Sequence, residues 1–183
     1  TVTVAGVADT PTVTISSPIS GSEDTAISLS NITPAIAAVD SGTSAAIKDI
    51  TISIGTTWCR ERYNDGSDDV VLYETTVING SLTVTSAQLA SLKIKPPLNS
   101  DADLSLSVVV TSQDGSTAVA TSSSLAFTVT VAGVADTPTV TISSPISGVE
   151  NTVISLANIT PAIAAVDSGT SAAIKDITIS IGT

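Results

Sequence analysis

Histidine and methionine are missing from the 183 residues, and cysteine occurs once, as Cys59. Without histidine a Ser-His-Asp relay is impossible. With one cysteine there is no intrachain disulfide and no Cys/His metal cluster. Basic residues are scarce, six Lys and Arg against seventeen Asp and Glu, for a formal net charge of −11. That balance argues against a nucleic-acid partner, which needs basic patches to neutralise phosphate, and against anionic membrane surfaces. Aromatic residues make up only 2% of the chain. No apolar run reaches the ~20 residues of a membrane span, so no membrane insertion is expected of this segment. No signal-peptide pattern opens it, as expected of an internal excerpt.

What the chain does have is Val, Ile, Leu and Ala interleaved with Thr and Ser, with 42% of residues hydrophobic. This β-branched, hydroxyl-rich mixture suits a pleated sheet with one wet face. The carboxylates suit cations, and calcium prefers oxygen ligands. The strongest signal is internal repetition. Residues 1–56 return as residues 128–183 at an offset of 127, with four differences: Ser22 becomes Val149, Asp24 becomes Asn151, Ala26 becomes Val153 and Ser30 becomes Ala157. The expected organisation is therefore the last strand of a preceding module (1–8), one complete module (9–134) and the first part of a next, truncated module (135–183). The chain reads as an excerpt of a longer array.

Along the chain, Val2, Val4, Val13 and Ile15 alternate with Thr and Ser at the period of half-buried strands. Between them Ala5-Gly6-Val7-Ala8-Asp9-Thr10-Pro11 punctuates two strands like a short linker, and it recurs at Ala132 to Pro138. Ile27–Leu29 and Ile32–Val39 are expected as short strands, broken by Pro34, and Ile50–Ile54 as a strand. Thr57–Asp69 departs from this style, with Trp58, Cys59, Arg60, Arg62 and Tyr63 ahead of an Asn64-Asp65-Gly66 turn. Val70–Leu72, Thr76–Ile78 and Ser81–Val84 continue as strands, with Asn79-Gly80 a turn. Thr85-Ser86-Ala87-Gln88 matches a capping box, followed by Leu89 and Leu92 at helical spacing. Leu104–Val108 and Leu125–Val131 are expected as long strands, joined through a turn at Gln113-Asp114-Gly115-Ser116 and Val119. Many short strands with no crossover helix predict an all-β fold: immunoglobulin-like antiparallel β-sandwich modules in tandem, with one short helical turn per module.

Val129-Thr130-Val131-Ala132-Gly133-Val134-Ala135-Asp136-Thr137-Pro138, Glu23-Asp24-Thr25, Thr85–Leu92 and Pro96-Pro97-Leu98-Asn99-Ser100-Asp101-Ala102-Asp103 together carry a family likeness. Outside about 57–75, the chain resembles the tandem extender modules of giant RTX-type bacterial surface adhesins, with their cadherin-like or bacterial immunoglobulin-like repeats. The resemblance implies a secreted or bacterial-surface location, and calcium-stiffened stalks that serve cell adhesion and biofilm formation. It implies calcium ligands at Asp9 and Asp136 (linker aspartate), Glu23 and Glu150 (early glutamate) with Asp24 beside the first, and Asp101 with Asp103. Where family members carry an Asp-x-Asp-Gly-Ser-Glu turn, this chain has Val39-Asp40-Ser41-Gly42-Thr43-Ser44.

Simpler readings stand beside these. Asp101-Ala102-Asp103 also fits a solvated turn, and Asp9 also fits a capping role. Asn64–Asp69 lacks the distal glutamate of an EF-hand and suits a hairpin tip. The Trp58–Tyr63 stretch fits either a recognition patch or a core-covering strand. The expected function is a non-enzymatic spacer of an extracellular array, whose partners are neighbouring modules and other copies of the chain in a fibre. The alternatives are a ligand- or glycan-binding module and an accessory module of a larger secreted enzyme.

Overall fold

A computed structural model describes residues 2, 6–36, 45–54, 62–64, 70–72, 80–115, 117–163 and 173–182. In chain order the elements are β1 (Pro11–Ile15), β2 (Ile19–Ser22), β3 (Ile27–Ser28), β4 (Ile32–Ile36), β5 (Ala46–Ile54), β6 (Arg62–Asn64), β7 (Val70–Leu72) and β8 (Ser81–Val84). There follow α1 (Ser86–Ala90), β9 (Lys93–Ile94), β10 (Leu104–Asp114), β11 (Ala118–Thr121), β12 (Leu125–Ala132), β13 (Pro138–Ile142) and β14 (Ile159–Ile163). Strands dominate and α1 is the helix among the described residues, in line with an all-β class.

The largest sheet runs β2-β12-β10-β5-β8, with β11 also on β10. β10 is its spine, and its pattern explains why. Leu104, Leu106, Val108 and Val110 are buried on alternate positions while the residues between them face outward, the period of two that a one-sided sheet imposes. Ile50 and Ile52 of β5 and Val129 and Val131 of β12 extend the same apolar face. A second sheet, β3-β9-β7-β6, and the pair β1-β4 supply Ile27, Ile94 and Ile32 to the same core, joined by Leu29 and Leu92 from the intervening loops. The helical turn forms as its capping box requires. Gln88 N–H donates to Thr85 Oγ1 at 3.3 Å and Thr85 N–H to Gln88 Oε1 at 3.0 Å, and Leu89 and Leu92 are buried beneath.

Three expectations need correction. Pro34 does not break its strand: β4 runs through it, pairing Val13 with Pro34. Proline lacks the N–H a central strand would need, but a strand with one partner tolerates it on the free edge. The sheets are not purely antiparallel, because β12 pairs with β2 and β7 with β9 in parallel. Nor does strand β10 stop near Val108, for it continues to Asp114. The hairpin expected around Asn64-Asp65-Gly66 is seen through its arms, β6 and β7, which pair antiparallel; residues 65–69 lie outside the described residues. So do residues 1 and 3–5, Trp58, Cys59, Arg60, Thr76–Ile78 and the turn at Asp40–Thr43.

The second copy of the repeated sequence behaves differently from the first. β13 and β14 reproduce β1 and β4 residue for residue, Pro138 facing Ile163 as Pro11 faces Ile36. The counterparts of β2, β3 and β5 are not strands. The difference follows from pairing: β1 and β4 pair with each other, whereas β2, β3 and β5 pair with β12, β9, and β8 and β10. All of those partners lie in residues 81–132, and the second copy has no such segment beside it.

Candidate functional site

The carboxylates singled out in the sequence sort to two poles of the module. β12 runs antiparallel to β10 with Leu104 opposite Val129, so the chain leaves the module at the Leu104 end. Glu23 sits there, directly after β2, and is 2% exposed. Its N–H donates to Ala132 O at 3.0 Å, and its Oε1 accepts a hydrogen bond from Val134 N–H. One buried residue thus holds both the last residue of β12, through its backbone, and the linker beyond it, through its side chain. Asp103 Oδ1 accepts from Val131 N–H at 3.0 Å. Asp101 lies against Gly133, where a Cβ would come within 3.4 Å of the aspartate's own Cβ and Oδ2. Asp24, at φ 58°, accepts from Asn99 N–H at 2.9 Å through Oδ1 and so ties the turn after β2 to the loop that carries Asp101 and Asp103.

Burying a carboxylate costs several kcal/mol unless its oxygens are paired. Glu23 meets only half of that demand, because Oε2 is buried with no hydrogen-bond partner. Asp136, two residues beyond Val134, buries its Oδ2 in the same condition. These are oxygen ligands of the type a hard divalent cation takes, and Glu23 Oε2 is the atom that a bound cation would satisfy. Among the described residues, however, no group of three or more Asp, Glu, His or Cys side chains is drawn close enough to form a finished metal centre.

Asp9 belongs to the other pole. Its carbonyl accepts from Ser112 Oγ at 2.5 Å, eight residues along β10 from Leu104, or about 26 Å at a strand rise of about 3.3 Å. Its Oδ2 is buried without a hydrogen-bond partner, as in its repeat counterpart Asp136. Asp9 and Glu23 therefore cannot share one ion within a module. Glu150 is exposed although its counterpart Glu23 is buried, because the strand and linker that cover Glu23 have no equivalent beside the second copy.

Sequence reasoning missed Asp114. It is 3% exposed, and a Cβ placed on Gly6 would lie 2.4 Å from its Oδ2, so the incoming linker passes directly over this carboxylate. The signal was available: the alternation Leu104, Leu106, Val108, Val110, Ser112, Asp114 carries the inward face of β10 past its apolar stretch to the pole where Asp9 enters. No family model, curated protein or solved structure matches the chain.

Proposed function

We propose that the chain is part of a tandem array of immunoglobulin-like β-sandwich modules that acts as a stiff spacer, of the kind found in bacterial surface adhesins, rather than as an enzyme. The observation that carries this reading is the grip of Glu23 on the linker through Ala132 O and Val134 N–H. In a repeat of 127 residues, a linker hydrogen-bonded into the preceding module is a continuation of that module and not a tether. Entry near Ser112 and exit near Leu104 point the same way, since a module entered and left at opposite poles adds length with every copy. Cell adhesion or biofilm formation at a secreted or surface location, with neighbouring modules and other copies as partners, is the setting in which such length is useful.

Calcium is the cofactor this reading calls for, as a hard cation taking oxygen ligands. Glu23 would hold it, with Asp101, Asp103 and Asp136 in reach of the same linker. Asp9, and Asp114 beneath Gly6, are the carboxylates at the pole where the preceding linker enters. A bound ion would neutralise the buried Glu23 and fix the linker. At an extracellular-type Kd near ~10⁻⁴ M, ~10 mM calcium stabilises by about 2.7 kcal/mol per site. Thermal melting of the intact chain in calcium and in chelator tests this. Calcium should raise the midpoint, and Glu23→Gln, which keeps an acceptor for Val134 but removes the charge, should abolish most of the rise. Identical melting in both conditions would sink the calcium reading.

A further inference from the structure

The linker sequence Ala5–Pro11 recurs unchanged as Ala132–Pro138, so one stretch of chain is seen in two settings. In the second it leaves a module. Val131 N–H donates to Asp103 and Val134 N–H to Glu23, Ala132 O accepts from Glu23 N–H, and Gly133 lies against Asp101. In the first it enters a module. Gly6 lies against Asp114, and Asp9 O accepts from Ser112 Oγ. Gly6 and Gly133 are the same residue of the repeat, as are Asp9 and Asp136. The two sets of contacts therefore interleave along one backbone, and no donor or acceptor in it is claimed twice. The module behind uses the N–H groups of residues 131 and 134 and the carbonyl of 132; the module ahead uses the carbonyl of the linker aspartate. Only the glycine is approached from both sides. Neither Gly6 nor Gly133 takes a positive φ, so the glycine serves here for its missing side chain and not for its conformational freedom.

We infer that the linker between consecutive repeats is clamped by both modules at once. The exit pole of one module, with Glu23, Asp101 and Asp103, and the entry pole of the next, with Ser112 and Asp114, then form a module–module interface closed over the linker glycine. The partner of each entry pole is the preceding copy of the same repeat. Because the two are covalently joined, docking is intramolecular and proceeds at high effective concentration. The two flanks of the glycine differ in how much room they leave. At Gly133 a Cβ would stand 3.4 Å from Asp101 Cβ and Oδ2, whereas at Gly6 it would lie 2.4 Å from Asp114 Oδ2 and 3.0 Å from its Cγ. Asp114 is 3% exposed and its side chain is short, so in a close-packed surrounding it has little space to swing aside. A methyl group on the linker glycine is thus tolerated by the module behind and refused by the module ahead. This inference rests on the tandem-spacer reading but not on calcium.

The test places one substitution, Gly133→Ala, in two settings and reads urea midpoints. In the intact 183-residue chain the midpoint should stay where it is. In the same chain continued past Thr183 by a copy of residues 57–134, which completes a second module, it should fall by about 0.5 M, as overpacking does in a domain of this size. Asp114→Ala in the appended segment removes the carboxylate that the new methyl meets and should cancel most of that fall. An equal effect of Gly133→Ala in both chains, or a fall that Asp114→Ala leaves untouched, would overturn the inference. Gly6→Ala in the intact chain provides a second measurement that needs no added module. It should lower the midpoint and be relieved by Asp114→Ala, and no shift there would overturn the inference equally. The reading beneath it is tested apart from these variants, by whether unaltered arrays lengthen in proportion to their number of units. Linear growth with no effect of Gly133→Ala would remove the shared clamp and leave the spacer standing.

Discussion

Ile52 and Ile179 occupy the same place in the same repeated sequence, yet the first is 1% exposed and the second 56%. The hydrophobic effect acts on surface removed from water, so identical side chains contribute differently according to what lies across from them. Ile52→Ala should cost about 2–5 kcal/mol, the range for emptying a packed site. Ile179→Ala should stay within about 0.5 kcal/mol, as surface changes do. Urea midpoints of the two variants, fitted with the slope of the unaltered chain, measure the difference directly; equal losses would mean that residues 173–182 are packed in solution. The same contrast explains why Glu23 and Glu150 are one residue in the sequence and two in the structure. A glutamate can be read from its letter as a cation ligand, but its burial depends on Ala132 and Val134 of a strand and linker more than a hundred residues away.

At the level of elements, what was legible in the sequence was what is locally determined. The capping box at Thr85 and Gln88 needs only residues three apart, and it forms as read. Thr85→Ala should therefore cost about 1 kcal/mol, checked by a shift in urea midpoint at constant slope. No shift would mean that α1 is held by Leu89 and Leu92 alone. The alternation of β10 and β12 was equally plain, since a period of two is intrinsic to the strand. What could not be read was pairing. Parallel β2-β12 joins residues about 110 apart, and nothing in Ile19–Ser22 announces that neighbour. Pro34 misled because the rule against strand proline applies to strands flanked on both sides, and β4 has one partner. The clearest case is the segment Ala46–Ile54, which is a strand in the first copy, while its counterpart at 173–181 is not. Propensity is the same in both, so the strand is made by β10 and β8.

For the whole molecule, the question is how length grows with the number of repeats. A flexible chain of beads extends roughly as the square root of their number, whereas rigidly joined modules extend in proportion to it. Within a module, entry at Ser112 and exit at Leu104 contribute about 26 Å, and the linker from Ala132 to Pro138 adds at most about 20 Å. Each 127-residue unit should therefore add between about 26 and 46 Å. Rigidity depends on whether the linker is pinned. In this chain Glu23 and Asp103 bond Val134 and Val131, and Asp101 packs on Gly133. Small-angle scattering from arrays of two, four and six units should show the maximum dimension rising linearly. In the same arrays, replacing every Glu23 equivalent by alanine removes the acceptor for the Val134 N–H and should bend the dependence toward the square root. The Ala132 carbonyl still accepts from the backbone N–H of residue 23, so the β-sheet core itself should remain folded, with its melting transition retained. Square-root growth in the unaltered array would show that the linker is a hinge despite its hydrogen bonds, and the spacer reading would fail with it.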